Sequence, residues 1–263
     1  FIFTNFLKLS FLYKIIFFIF NTFIISFLSN YISGIDLLNY RELPIIVLSI
    51  LFLLSLKTNN NFFFLFLISF LSISSMLWGI DRGLICNFLI LVIISYFLII
   101  KEYKKTFLLI TLIILTWCLF FLISKNEFLY FFENTITILK ENSHIHGLIH
   151  PKPFTDEPNS ARATKTLITI IFTNLVAVHL IFSENKNFSI NFKRFLIFFS
   201  IVCVSGYAYA LGRSDGPHIK NSFGYPLMFI SIYLSYIFLI FISEKKILLN
   251  KYLIYISLSF FIF

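Results

Sequence analysis

Long apolar runs separated by short polar connections make up most of this chain, and few folds accommodate such a pattern. Crossing about 30 Å of hydrocarbon at about 1.5 Å per residue takes roughly 20 residues of helix. Nine segments approach or reach that length: Phe11 to Leu28, Leu43 to Leu56, Phe62 to Gly79, Leu84 to Ile100, Phe107 to Ser124, Thr166 to Phe182, Phe195 to Leu211, Tyr225 to Ser243 and Ile247 to Phe263. The pattern predicts an all-α fold, a polytopic integral membrane helix bundle of about nine transmembrane helices. Leu43 to Leu56 is short enough to be re-entrant, and it is kept as spanning because the charges sort only if it crosses. Composition agrees: 59% of the 263 residues are hydrophobic and only 13% are charged, too few to coat a soluble domain. The three cysteines, Cys86, Cys118 and Cys203, each fall in or at the start of an apolar run, so they form no disulfide framework. Thirty-eight Phe and many Ile, Asn and Lys are the footprint of AT-rich coding, so no single Phe or Ile is read as selected for function.

When the connections are numbered alternately, the charges separate. One side carries Lys8, Lys14, Lys57, Lys101, Lys104, Lys105, Lys186, Lys193, Arg194, Lys245 and Lys246 against Glu102, Glu184 and Glu244. On the other side nine cations meet nine carboxylates, and Lys251 near the start of the last run completes the formal +9. Short Lys-rich loops stay cytoplasmic, so the basic balance is a topology signal and implies no nucleic-acid partner. The protein is expected to cross its membrane several times, with the Lys-rich loops cytoplasmic and the polar motif loops outward.

Four connections then face outward: Ser29 to Glu42, Ile80 to Gly83, Lys125 to Lys165 and Gly212 to Gly224. The whole chain, 1–263, reads as a single membrane domain, with 125–165 an outer, periplasmic loop. Phe128, Phe132, Ile136 and Leu139 recur at helical spacing with Glu133, Asn134 and Lys140 between them, which predicts an amphipathic helix on the membrane surface over Phe128 to Glu141. The Pro- and Asn-containing stretch His150 to Asn159 reads as irregular. A chain that starts at Phe1 and stops inside the apolar run Tyr252 to Phe263 is expected to be a fragment of a longer protein, so a signal peptide cannot be judged.

The densest polar cluster is Gly212-Arg213-Ser214-Asp215-Gly216-Pro217-His218-Ile219-Lys220. Arg213 offers a planar fork for phosphate oxygens, His218 titrates near neutrality, Asp215 can orient the imidazole or act as base, and Lys220 adds a second cation. Gly216-Pro217 is equally the chemistry of a capped turn. Asp36 is a second candidate base, against a reading in which its loop is solvated and Arg41 and Glu42 are interfacial charges. In Trp78-Gly79-Ile80-Asp81-Arg82-Gly83, Trp78 suits the interfacial aromatic belt and Gly83 a turn, while Arg82 either pairs with Asp81 or converges with Arg213 on one phosphate. Arg162 and Lys165 read as anchors where the chain re-enters the bilayer, with Arg162 also able to hold a headgroup. His144, His146 and His150 match no standard zinc spacing, and no metal or cofactor is expected. Away from the span ends, His179 with Asn174 reads as an interhelical hydrogen bond in preference to a proton relay.

The stretches Trp78 to Gly83 and Leu211 to Ile219 resemble short motifs of bacterial polytopic membrane proteins that are glycosyltransferase-like, or O-antigen polymerase- and ligase-like. The resemblance covers about a tenth of the chain, and the full motif set of either group is not found. It implies transfer of a sugar or glycan from a polyprenyl-phosphate or diphosphate carrier at the outer face, with a loop carboxylate or His as base and Arg holding phosphate. Carried over, Asp36, Asp215 and His218 are the catalytic candidates, and Arg213, Arg82, Lys220 and Arg162 the substrate-binding ones. A polyprenyl-linked sugar or glycan and membrane lipid are the implied partners. A flippase or transporter of a lipid-linked substrate and a non-catalytic membrane assembly protein remain the alternatives, and oligomeric state is open.

Overall fold

The structure, a computed structural model, describes residues 15, 18–19, 21–22, 40–57, 62–146, 152–183, 189–213 and 222–244, with side chains given except at 40, 126, 142–146, 209, 211–213 and 239–244. Among the described residues a 3-10 turn, Tyr40–Glu42, is followed by eight helices: α1 Leu43–Ser55, α2 Phe62–Trp78, α3 Ile80–Ile99, α4 Tyr103–Ser124, α5 Asn126–His146, α6 Ser160–Phe182, α7 Ile190–Arg213 and α8 Gly224–Glu244. No strand occurs among the described residues. Four segments are long and apolar enough to cross a membrane, α3, α4, α6 and Ile190–Ala208 of α7, which makes this an α-helical membrane protein.

The expected count of nine spans is therefore reduced, among the described residues, to four helices of crossing length. Leu43–Ser55, Phe62–Trp78 and Gly224–Phe238 are apolar but shorter. Thirteen residues of α1 rise only about 20 Å, less than the hydrocarbon thickness. Of the span expected over Phe11 to Leu28, five residues are described, all helical, and Ile247 to Phe263 lies outside the described residues.

The helices form two groups. In the first, α1, α2, α3 and α4 pack together, and in the second α6 and α8 pack on α7. The groups join where α1 and α3 meet α7, and one apolar core runs through both. Phe52 of α1 anchors that seam, 4.5 Å from the Phe198 ring of α7 and 5.5 Å from the Tyr96 ring of α3. Between helices that gain nothing from excluding water, close approach and polar contacts carry the packing. Gly83 supplies the closest approach: a Cβ there would lie 2.5 Å from the Met76 Cα, so α3 rests directly on the backbone of α2. The turn role expected for Gly83 is corrected accordingly. The α2–α3 connection is Gly79 alone, and Ile80 to Gly83, expected as a loop, is the first turn of α3.

One face of α2 carries Ser69, Ser72 and Ser75, all buried. The Asn87 amide of α3 donates to the Ser72 carbonyl at 2.8 Å, the Ser72 hydroxyl donates to Asn87 Oδ1, and Trp117 Nε1 of α4 donates to Ser72 Oγ at 2.9 Å. Three helices thus share one closed set of polar contacts within the apolar core. Among the described residues the expected interhelical bond of His179 and Asn174 is not formed: the Asn174 amide donates to the Ile170 carbonyl of its own helix at 2.8 Å, and His179 is exposed. A side chain four residues beyond an available carbonyl satisfies itself locally.

α5 begins two residues before the expected amphipathic segment and continues to His146. Phe128, expected on its membrane face, instead packs among Phe121, Phe120, Trp117 and Phe132, where the chain turns from α4 into α5 through Lys125. Leu129, Phe132, Ile136 and Leu139 form the exposed apolar stripe.

Candidate functional site

Contacts between helix ends sort the described helix termini into two ends of the bundle. Asn191, at the start of α7, donates from Nδ2 to the Leu56 carbonyl just after α1, at 3.2 Å. That end carries Lys57, Lys101, Lys104, Lys105, Lys193 and Arg194. The opposite end carries Glu42, Asp81, Arg82 and Arg162, the start of α8 and the end of α7 at Arg213. The two ends, called here the lysine end and the arginine end, separate the residues as the alternating connections of the sequence do.

At the arginine end the geometry converges on Glu42. Arg82 in the first turn of α3 donates from Nε to Glu42 Oε1 at 2.7 Å, and its Nη2 forms an ion pair with the same oxygen. Tyr225, in the first turn of α8, donates from its phenol to Glu42 Oε2. Both carboxylate oxygens are thereby occupied by donors from two other helices. The pair is shielded from solvent, with side-chain exposures of 11% for Arg82 and 14% for Glu42. A buried ion pair persists where further hydrogen bonds complete it, and Tyr225 supplies one. Asp81 stands beside the pair, its Oδ2 3.6 Å from Arg82 Nη1, and its Oδ1 accepts the Arg82 backbone N–H at 2.8 Å.

A second glycine makes this arrangement possible. A Cβ on Gly206 of α7 would lie 2.7 Å from Cδ2 of Tyr225, so the phenol ring lies against bare helix backbone. The contact chain Arg82–Glu42–Tyr225–Gly206 therefore runs from α3 through the head of α1 and α8 to α7, binding the two helix groups together. Seven residues beyond Gly206, about 10 Å along the helix axis, α7 ends at Arg213. The start of α6 meets the same stretch of α7, where Ala163 packs on Ala210.

Of the residues expected to carry chemistry, Arg82 is brought into this buried cluster. Arg162 is exposed at the start of α6, with Nη1 donating to Asn159 Oδ1 at 3.2 Å. Arg213 is the last residue of α7, and its side chain falls outside those described. Asp36, Asp215, His218 and Lys220 lie outside the described residues, as does His150. Trp78 is exposed at the end of α2, as an interfacial aromatic would be. Sequence reasoning missed Glu42, Tyr225 and Gly206. One signal pointed to Glu42: an Arg at the head of an apolar helix requires a counter-charge, and Glu42 stands directly before the Leu43-Pro44 start of α1.

Compared with family models, with curated proteins and with solved structures, the chain matches none. The site is thus characterised by its own geometry: a buried, internally neutralised Glu–Arg pair under a polar bundle end that also receives Arg162 and Arg213.

Proposed function

We propose that this protein transfers a sugar or glycan from a polyprenyl-phosphate or diphosphate carrier at the outer face of the bacterial cytoplasmic membrane. In this reading nine spans cross the bilayer, the lysine end faces the cytoplasm and the arginine end faces outward. An acceptor hydroxyl attacks the anomeric carbon of the donor, the bond from that carbon to the carrier's phosphate oxygen breaks, and the phosphate leaves with the electron pair. The acceptor's proton passes to Asp36, Asp215 or His218. Arg213, with Arg162 and Lys220, holds the departing phosphate and stabilises the charge it gains.

One observation carries this reading. The two stretches that resemble glycan-transfer proteins, Trp78 to Gly83 and Leu211 to Ile219, are far apart in sequence, yet α3 from the first and α7 entering the second are tied at one bundle end through Arg82–Glu42–Tyr225–Gly206. Arg82 has a positioning role here, because Glu42 already occupies its guanidinium edge. That engagement equally suits a non-catalytic membrane assembly protein, which is the second reading.

Mass spectrometry of polyprenyl-linked intermediates and surface glycans tests the proposal, using cells that lack the gene and are restored with the full-length wild type or with Arg213→Ala. Accumulation of a lipid-linked intermediate that only wild type clears supports carrier handling. An in vitro assay with an outward-facing donor then separates transfer from flipping. An unchanged set of intermediates favours the assembly reading.

A further inference from the structure

The lysine end has its own chemistry, unconnected with the proposed transfer. Among the described side chains there, six cations, Lys57, Lys101, Lys104, Lys105, Lys193 and Arg194, stand against one carboxylate, Glu102, which pairs with Lys105 at 3.5 Å. Arg194 sits where α7 meets α3, half-buried, with its guanidinium 5.8 Å from the centre of the Tyr96 ring. No carboxylate lies within ion-pair distance of it among the described residues. The aromatic face orders the guanidinium without neutralising it, leaving a planar fork of donors suited to phosphate oxygens. One helical turn earlier, Asn191 ties α7 to the end of α1, which brings Lys57 to the same seam. Lys101 is exposed on the α3–α4 connection and Lys104 in the first turn of α4. Beside these cations, Leu98, Ile99 and Phe107 expose apolar side chains, the last two by 79% and 75%.

We propose that the seam of α1, α3 and α7 at the lysine end binds an acidic phospholipid, with Arg194 anchoring the headgroup phosphate and the exposed apolar side chains of α3 and α4 lying along an acyl chain. Cations alone would suit any phosphate. The adjoining apolar surface selects a lipid over the free ion. Each cation near an anionic headgroup layer contributes about a fivefold preference.

The test is native mass spectrometry of the full-length protein in detergent, titrated with phosphatidylglycerol or phosphatidylcholine, with inorganic phosphate as competitor. Wild type is expected to retain phosphatidylglycerol in preference to phosphatidylcholine and to keep it when inorganic phosphate is added. Arg194→Gln is expected to cut the preference about fivefold, while Lys152→Gln, at the opposite end, leaves it unchanged. Should Arg194→Gln fail to fold, Lys57→Gln combined with Lys104→Gln decides, since both lysines are exposed. Equal retention of the two lipids, a preference undiminished in these variants, or displacement by inorganic phosphate would overturn the proposal.

Discussion

The phenol of Tyr225 donates to Oε2 of Glu42, a residue 183 positions earlier, while Arg82 takes the other oxygen of the same carboxylate. This shared acceptor joins the helices of the first group to α8 of the second. Removing one member of a buried ion pair costs up to about 3–5 kcal/mol, and without Glu42 the Arg82 guanidinium keeps the longer contact to Asp81, 3.6 Å from Nη1. Glu42→Gln is expected to lower the thermal midpoint in detergent by the corresponding margin. Tyr225→Phe removes a hydrogen bond to a charged group and costs less, about 1.5–3 kcal/mol. Replacing the pair together, as Glu42→Leu with Arg82→Met, should recover part of the loss, because the charge that then remains, on Asp81, belongs to a side chain 32% exposed to solvent. Equal midpoints for Glu42→Gln and wild type, measured by circular dichroism, would contradict the account.

The two glycines respond differently to alanine. At Gly83 the obstacle is Met76 backbone, which cannot move unless α2 and α3 separate, whereas at Gly206 it is the Tyr225 ring, which can rotate. Gly83→Ala is therefore expected to be the more destabilising. Gly206→Ala should act by breaking the Tyr225–Glu42 bond, so that adding Tyr225→Phe costs little more. Additive losses at Gly206 and Tyr225 would show that the glycine does not act through the phenol.

Ser72 accepts from Trp117 and exchanges hydrogen bonds with Asn87. Ser72→Ala is expected to cost about 0.6–2 kcal/mol, the range found for polar contacts between membrane helices. Unfolding of the variant in detergent measures it, and a stability gain would argue against the closed network.

Most of the described bundle was legible because apolar run length is a strong signal: α1, α2 and α8 begin and end within one residue of the expected runs, while α3, α4, α6 and α7 begin four to six residues earlier, because polar residues at a helix head extend it beyond its apolar run. The site was legible only in part. Arg82 stood out because it sits in the short polar stretch between two apolar runs, but its partner Glu42 is adjacent to Arg41 and looks like an interfacial charge. Tyr225 is one of 13 tyrosines in a chain that is 20% aromatic, so nothing in composition distinguishes it. Gly83 follows a tight turn and in sequence reads as part of it, since sequence proximity cannot show that another helix crosses at that point.

On α5 the exposed stripe of Leu129, Phe132, Ile136 and Leu139 runs beside exposed Asn134 and Glu141. A helix lying in the interface buries the first set among lipid chains. In brominated-lipid vesicles a tryptophan replacing Leu139 should be quenched more strongly than one replacing Asn134. Equal quenching would place α5 away from the membrane surface.

The central claim is that the arginine end handles a lipid-linked phosphate through Arg213. Its most direct test compares polyprenyl-linked intermediates in cells lacking the gene after restoration with wild type or Arg213→Ala, at matched protein levels in the membrane. The account predicts that wild type clears an accumulated intermediate and Arg213→Ala does not. Clearance by Arg213→Ala at the wild-type rate would contradict it.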